Sequence, residues 1–188
     1  MDQKKVISRY QLTLEVIDEL QLKNKPVTLR KGETFIGYGE KTKRIGILLS
    51  GLLYASYMTD SGNEWISRFF YPPNNFIVSN HDSFYFGRNS SECIRVYEDS
   101  ELVYIEKDEF KNLLDNNRRF ERTVRILAEE SYIQAMARIH SFQSLNAEQR
   151  IRKFFAENPE LGKKLKRQHI ASYLGIHRNI LTRFLYKI

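Results

Sequence analysis

Residues 168–188 read QHIASYLGIHRNILTRFLYKI, two short helical patterns that meet at one glycine. A helix-turn-helix needs a small residue inside its first helix and a residue free to take positive φ in the turn. It also needs apolar anchors to fix the angle between the helices. Ala171 is the small residue and Gly175 is the turn. Ile170, Leu174, Ile176, Leu181 and Phe184 are spaced to close a small core. That core would turn His177, Arg178, Asn179, Thr182 and Arg183 outward on the second helix. In such a pair, the outward residues near the amino end of the second helix meet base edges. Arginine bonds guanine through two hydrogen bonds, and asparagine does the same with adenine. These five residues are the predicted base contacts. Lys163, Lys164, Lys166, Arg167 and Lys187 fall nearer the phosphates, where they give affinity without sequence information.

The charge distribution points the same way. The 188-residue chain carries a net charge of +7. Residues 1–145 hold 20 Lys and Arg against 20 Asp and Glu, and residues 146–188 hold 10 against 3. The whole excess sits in the last segment, with no acid after Glu160. A basic module on a neutral body is the electrostatic footprint of a nucleic-acid binder. A solvated basic face without a partner is the competing reading of charge alone.

Apolar content of 41% and aromatic content of 13% suit a globular chain with real cores. The length suits one ordinary domain plus a small second one. No run of eighteen apolar residues appears, and MDQKKVISRY lacks the apolar segment of a signal peptide. The lone cysteine, Cys93, reads as a small buried hydrophobe. The cytoplasm is the expected location.

Residues 12–22 read as a short amphipathic helix with Leu12, Val16 and Leu20 on one stripe. From Pro26 the pattern becomes short apolar or alternating runs broken by turn residues. Asp60-Ser61-Gly62-Asn63 is a hairpin turn signal, and Pro72-Pro73-Asn74-Asn75 ends the next strand. SECIRVYEDSELVYIEK reads as two strands with a turn near Asp99-Ser100. Seven or eight short strands at this spacing predict a closed barrel or jelly roll.

From Lys107 the period becomes helical, with a short helix around Phe110, Leu113 and Leu114. Residues 118–143 are unbroken by Gly or Pro, a helix of roughly 39 Å at the standard rise. Phe120, Val124 and Leu127 share one stripe. Ile126, Ile133, Met136 and His140 share another, with Tyr132, Ile139 and Phe142 beside it. A long helix with two apolar faces needs two things to pack against. One would be its own barrel, and the other the same helix of a second subunit. Val124, Leu127, Ile133, Met136 and His140 are the predicted dimer contacts. Three more helices follow, over 147–157, 166–174 and 177–187. The expected domains are 1–116, 117–145 and 146–188.

With these motifs in place, the chain resembles the cyclic AMP receptor protein and fumarate–nitrate reduction regulator (CRP/FNR) family of bacterial transcription factors. LRKGETFIGYGE, RIGILLSGLLYASY with Gly51 at the strand-joining glycine, the long helix and HIASYLGIHRNILTRFL carry the resemblance, in order, over essentially the whole chain. It implies an α+β fold: a cyclic-nucleotide-binding-type β-roll, a dimerisation helix and a helix-turn-helix. It also implies a homodimer on double-stranded DNA at a near-palindromic operator, with RNA polymerase as a further partner. Arg178 and Arg183 match the two arginines that read bases in the type member, while Asn179 stands where that member has glutamate. Asparagine prefers adenine, so the operator should differ. The sequence stops just after the recognition helix, so the family's β wing is expected to be absent unless short strands form near Leu165.

The ligand cassette departs from the family's pattern. Val78 and Ser79 stand where a Gly-Glu pair is expected, and Ser90, Ser91 and Glu92 stand where an Arg-Ser/Thr-Ala run is expected. Glu92 would repel a cyclic phosphate. Ser79, Arg88, Ser90 and Ser91 mark the expected effector pocket, with Arg88 as the substitute cation if the loop slips by two residues. The expectation is therefore no cofactor, an unidentified small-molecule effector if any, and neither cyclic AMP nor cyclic GMP.

Two other classes compete. A metal enzyme on a barrel would need two histidines and a carboxylate converging on a metal. Of His81, His140, His169 and His177, only His81 lies in the barrel region. No glycine-rich phosphate loop and no Ser/His/Asp spacing appears. A protein-interaction module, with incidental basic helices, is the other. The predicted class is a regulator and not an enzyme.

Overall fold

In the computed structural model, residues 15–20 and 23–186 are described. Helix α1 covers residues 15–20, so Leu12 of the expected amphipathic stripe lies outside the described residues, and so does Lys187. Six strands follow, β1 (Val27–Leu29), β2 (Thr34–Ile36), β3 (Arg44–Met58), β4 (Glu64–Phe70), β5 (Ile77–Val78) and β6 (Cys93–Glu106). The helices are α2 (His81–Phe86), α3 (Lys107–Asn116), α4 (Arg118–Ser144), α5 (Ala147–Glu157), α6 (Pro159–Lys164), α7 (Arg167–Leu174) and α8 (Arg178–Leu185). Contacts divide the chain into two units. One holds 1–55 and 69–131, the other 56–68 and 132–188.

The strands of the first unit are fewer and longer than the turn signals suggest. The sheet runs β1-β6-β3-β4, with β2 also on β6 and β5 also on β3. Asp99-Ser100 is no turn, because β6 continues through it. The Asp99 carboxylate accepts instead from Arg30 Nη1 at 2.9 Å and from the Lys31 amide at 2.8 Å. The Ser100 hydroxyl donates to Glu98 O at 2.6 Å and accepts from the Leu52 amide at 3.1 Å. Asp99 thus holds the turn after β1, and Ser100 holds the neighbouring strand β3, while β6 runs on. The Asp60–Asn63 turn forms as expected. Thr59 and Gly62 amides donate to Asn63 O and Thr59 O at 2.9 and 2.8 Å, with Gly62 at φ 79°.

Strand β3 passes straight through Gly51, whose φ of 97° only glycine adopts without strain. Gly46 and Leu48 face the interior before it, and Leu53 and Ala55 after it. The inward set therefore moves from even to odd positions, a shift that would otherwise turn every later side chain to the wrong face. The inner core gathers Phe35, Ile36, Leu48, Leu53, Ala55, Phe70, Val78, Ile94, Val96 and Leu102. On the outer face Ile45, Ile47, Val103 and Ile105 meet Val16, Leu20, Phe84, Phe110 and Phe120 from four helices. Edge-to-face rings link those helices, Phe84 to Phe110 at 5.3 Å and Phe110 to Phe120 at 5.4 Å.

Helix α4 starts where Asn117 Oδ1 accepts from the Arg119 and Phe120 amides at 3.1 and 3.0 Å. Phe120, Thr123 and Ile126 are its buried residues. Ile126, expected on the stripe with Ile133, is instead covered within its own chain. Val124 and Leu127 are half-buried. Further along, one apolar face of the helix is uncovered. Tyr132 is 67% exposed, Ile133 64%, Met136 45% and Ile139 48%, and His140 is exposed as well.

Beyond α4, four helices form where three were expected. Pro159, read as a stop, also opens α6 as its first residue, a position that needs no amide. Residues 159–164 are thus helical, and no wing strands precede Leu165. Asn146 and Gln149 close a reciprocal cap on α5, at 3.0 and 2.9 Å.

Gly51→Ala tests the strand crossing. Its new methyl would stand 2.6 Å from both Asp99 O and Ser100 Cα, in a backbone region that alanine avoids. The expected loss is about 2–5 kcal/mol in denaturant unfolding.

Candidate nucleic-acid interface

The carboxyl-terminal helices turn one polar face outward from a local core. Gly175 takes φ 63° and ψ 40° at the end of α7, and its amide donates to Ala171 O and Ser172 O. The Ile176 amide then reaches back to Ala171 O at 3.1 Å. This left-handed stop reverses the chain within two residues. His177 caps α8, with Nδ1 accepting from the Asn179 amide at 3.3 Å. All five predicted anchors are buried, Ile170, Leu174, Ile176, Leu181 and Phe184, none above 9% exposed, and Ala171 is buried with them.

The predicted base contacts fall on the other side. His177, Arg178, Asn179 and Arg183 are exposed, and Thr182 is half-buried. Among the described residues, no hydrogen bond or ion pair holds the guanidinium groups of Arg178 and Arg183. Lys163, Lys164, Lys166 and Arg167 are exposed as well. Lys163 is paired with Glu160 at 2.8 Å, which holds that carboxyl below its ordinary range and offsets part of the lysine's charge.

Several residues of this surface and its frame were not singled out from the sequence. Ile180 (37% exposed) and Tyr186 (78%) are the apolar and aromatic members of α8 and its cap that reach solvent. Arg167 lies over the Tyr186 ring at 5.6 Å, and Arg152 over Phe184 at 4.9 Å. Arg150 donates to Leu145 O at 2.7 Å and Leu174 O at 3.2 Å, capping the carbonyl end of α7 with a cation. Arg138 donates to Tyr173 O at 2.8 Å and Ile66 O at 3.4 Å, and stacks over Tyr173 at 4.0 Å. Their targets lie far along the chain, so no local pattern marks them.

The tip of the β3–β4 hairpin belongs to this same unit. The Ser172 hydroxyl, on α7, accepts from the Ile66 amide at 2.8 Å and donates to Glu64 O at 3.3 Å. One side chain thus meets a donor and an acceptor of β4, which ends the strand order. Ser56 Oγ donates to the Glu64 carboxylate at 2.6 Å. His169, three residues before Ser172 on α7, is half-buried. Burial holds its imidazole below the ordinary 6.5, Lys166 pushes the same way and Glu64 opposes both.

In the first unit, the expected effector residues divide. Ser79 and Ser90 are buried, while Arg88 and Ser91 are exposed. Arg88 Nη1 lies 3.5 Å from the Asp82 carboxylate. The Glu92 carboxylate accepts from Asn80 Nδ2 at 3.2 Å. The Ser90 hydroxyl donates to Glu92 O at 2.6 Å. Among the described residues no three metal-ligating side chains come together, and no helix is long and apolar enough to cross a membrane.

This combination of a β-roll, a long helix and a helix-turn-helix recurs in solved structures. FixK2 from Bradyrhizobium japonicum matches with a TM-score of 0.73 and 14% identity, over 87% of this chain and 83% of that one. The c-di-GMP responsive global regulator CLP of Xanthomonas campestris matches at 0.74 and 14%, over 93% and 90%. TTHA1359, a CRP/FNR-family transcriptional regulator from Thermus thermophilus, matches at 0.70 and 15%, over 87% and 84%. No protein-family model matches the chain, and no curated protein does either. The fold is that of the CRP/FNR regulators, as the resemblance implied.

Two outcomes follow for this unit. Ser172→Ala leaves the Ile66 amide without its partner and should cost about 1–2 kcal/mol in thermal unfolding. A histidine with a depressed folded value leaves the folded state with fewer protons than the unfolded one. Its stability contribution is full above 6.5 and declines as pH falls through that value towards the folded one. Unfolding measured from pH 8 to 5 should show this decline, and His169→Gln should flatten it.

Proposed function

We propose that this protein is a sequence-specific DNA-binding transcription regulator that acts as a homodimer on a near-palindromic operator. The observation that carries the reading is the outward row of Arg178, Asn179 and Arg183 on α8, beyond a glycine turn that closes a core without them. It lies in the segment that holds the chain's entire positive excess. A helix presented this way enters the major groove, with the surrounding lysines on phosphates. Lys164, Lys166 and Arg167 fill that second role. A soluble partner protein would not need this match of exposed guanidinium groups to one helix face.

The uncovered apolar face of α4, from Tyr132 through Ile139, supports the dimer. Ile133, Met136 and His140 are its proposed contacts, with the half-buried Val124 and Leu127 at its edge. Control by cyclic AMP or cyclic GMP is not part of the proposal. Ser90 stands where the family supplies an arginine, and the Glu92 carboxylate two residues on, held by Asn80, would repel a cyclic phosphate. Arg88 is already turned to Asp82. A small effector of another chemistry, bound near Ser79, Ser90 and Ser91, and contact with RNA polymerase complete the reading.

Selection of bound duplexes from a random pool tests it, run alone and with cyclic AMP, cyclic GMP or cyclic di-GMP added. The expected product is a near-palindrome with half-sites about 34 Å apart, one helical turn, unaffected by cyclic AMP. Recovery of random sequence would overturn the proposal. With the selected duplex, Arg178→Ala should relax one position and cost about 1–3 kcal/mol there. Lys164→Ala should weaken all sequences alike and lower the salt slope by about one. Met136→Glu should yield monomers in sedimentation and abolish the preference for two half-sites.

A further inference from the structure

We infer that Ile180 reads the methyl group of a thymine, adding an A·T requirement to each half-site beside the positions read by Arg178 and Asn179. The inference rests on the DNA-reading role proposed above for α8. Ile180 is the third residue of that helix, in the turn that enters a groove first. It is 37% exposed, whereas Leu181 beside it is fully covered. Ile180 is not among the buried anchors of the small core, and over a third of it is left to solvent. Its neighbour along the helix surface, three residues on, is the exposed Arg183.

A lone exposed isoleucine elsewhere on the surface would need no explanation. In the middle of a reading surface its chemistry is selective. It gains nothing from a phosphate, and it leaves any hydrogen-bonding base edge unsatisfied. The C5-methyl of thymine is the apolar group that the major groove offers, and side-chain carbons contact it directly. A β-branched side chain on a helix holds nearly one χ1 rotamer, so little freedom is lost when it docks. Asn179, adjacent in sequence, prefers adenine, so an A·T-rich step under this turn satisfies both residues.

The test replaces each thymine of the selected duplex, symmetrically in both half-sites, by deoxyuridine. That base lacks the methyl and keeps every hydrogen-bonding group. One position should weaken binding by about fourfold per half-site, the worth of one buried methyl. Ile180→Ala should bind thymine and deoxyuridine alike at that position, and Ile180→Val should keep the distinction. Thermal unfolding of both variants, run beside the parent, ensures that binding is read on folded protein. An equal deoxyuridine effect in the parent and in Ile180→Ala, or no sensitive position at all, overturns the inference while leaving the DNA-reading role intact. A chain that selects no duplex overturns both.

Discussion

Helix α8 depends on a turn that admits almost nothing but glycine. At Gly175 the backbone takes a left-handed conformation, and a Cβ there would stand 2.8 Å from the Phe142 ring. Both constraints act at one residue, and both serve one end. Helix α7 stops, the chain reverses, and Ile176 drops into the core so that α8 leaves at a fixed angle. Arg150 holds the last carbonyl of α7 from a neighbouring helix, and Arg138 holds the one before it. The polar row on α8 is therefore a consequence of packing on its other side. No residue of that row contributes an anchor.

A similar economy governs the β-roll. One glycine with positive φ lets β3 run for 15 residues while its inward set shifts by one. The opposite strand accommodates the crossing through Ser100, whose hydroxyl takes the Leu52 amide. Both faces of the sheet are then buried, one against itself and one under helices. Ring-edge contacts through Phe84, Phe110 and Phe120 run from the roll into the start of α4. The same helix leaves Tyr132, Ile133, Met136 and Ile139 uncovered, the face that the proposed second subunit would cover.

Local features were the readable ones. The helix-turn-helix was legible because its glycine, its anchors and its charges all fall close together along the chain, and each has a short-range reason to be there. The hairpin at Gly62 was legible for the same cause. Asp99-Ser100 misled because Asp-Ser commonly marks turns, and only its bonds to distant residues show that the strand continues. Pro159 permits both a stop and a start, so α6 was hidden. Ile126 and Ile133 share a helical stripe, yet one is covered by its own chain and the other is not. Periodicity cannot tell the two environments apart. The framing arginines, Arg138 and Arg150, bond carbonyls 35 and 24 residues away, beyond any motif.

The central claim is that the glycine-hinged helix pair carries the surface that meets DNA. Amide shift mapping on the intact protein, titrated with its selected duplex, examines it residue by residue. The account predicts that the largest changes cluster at 177–183, with a second set at 163–167. Changes confined to the β-roll, or none at all at saturating duplex, would contradict it.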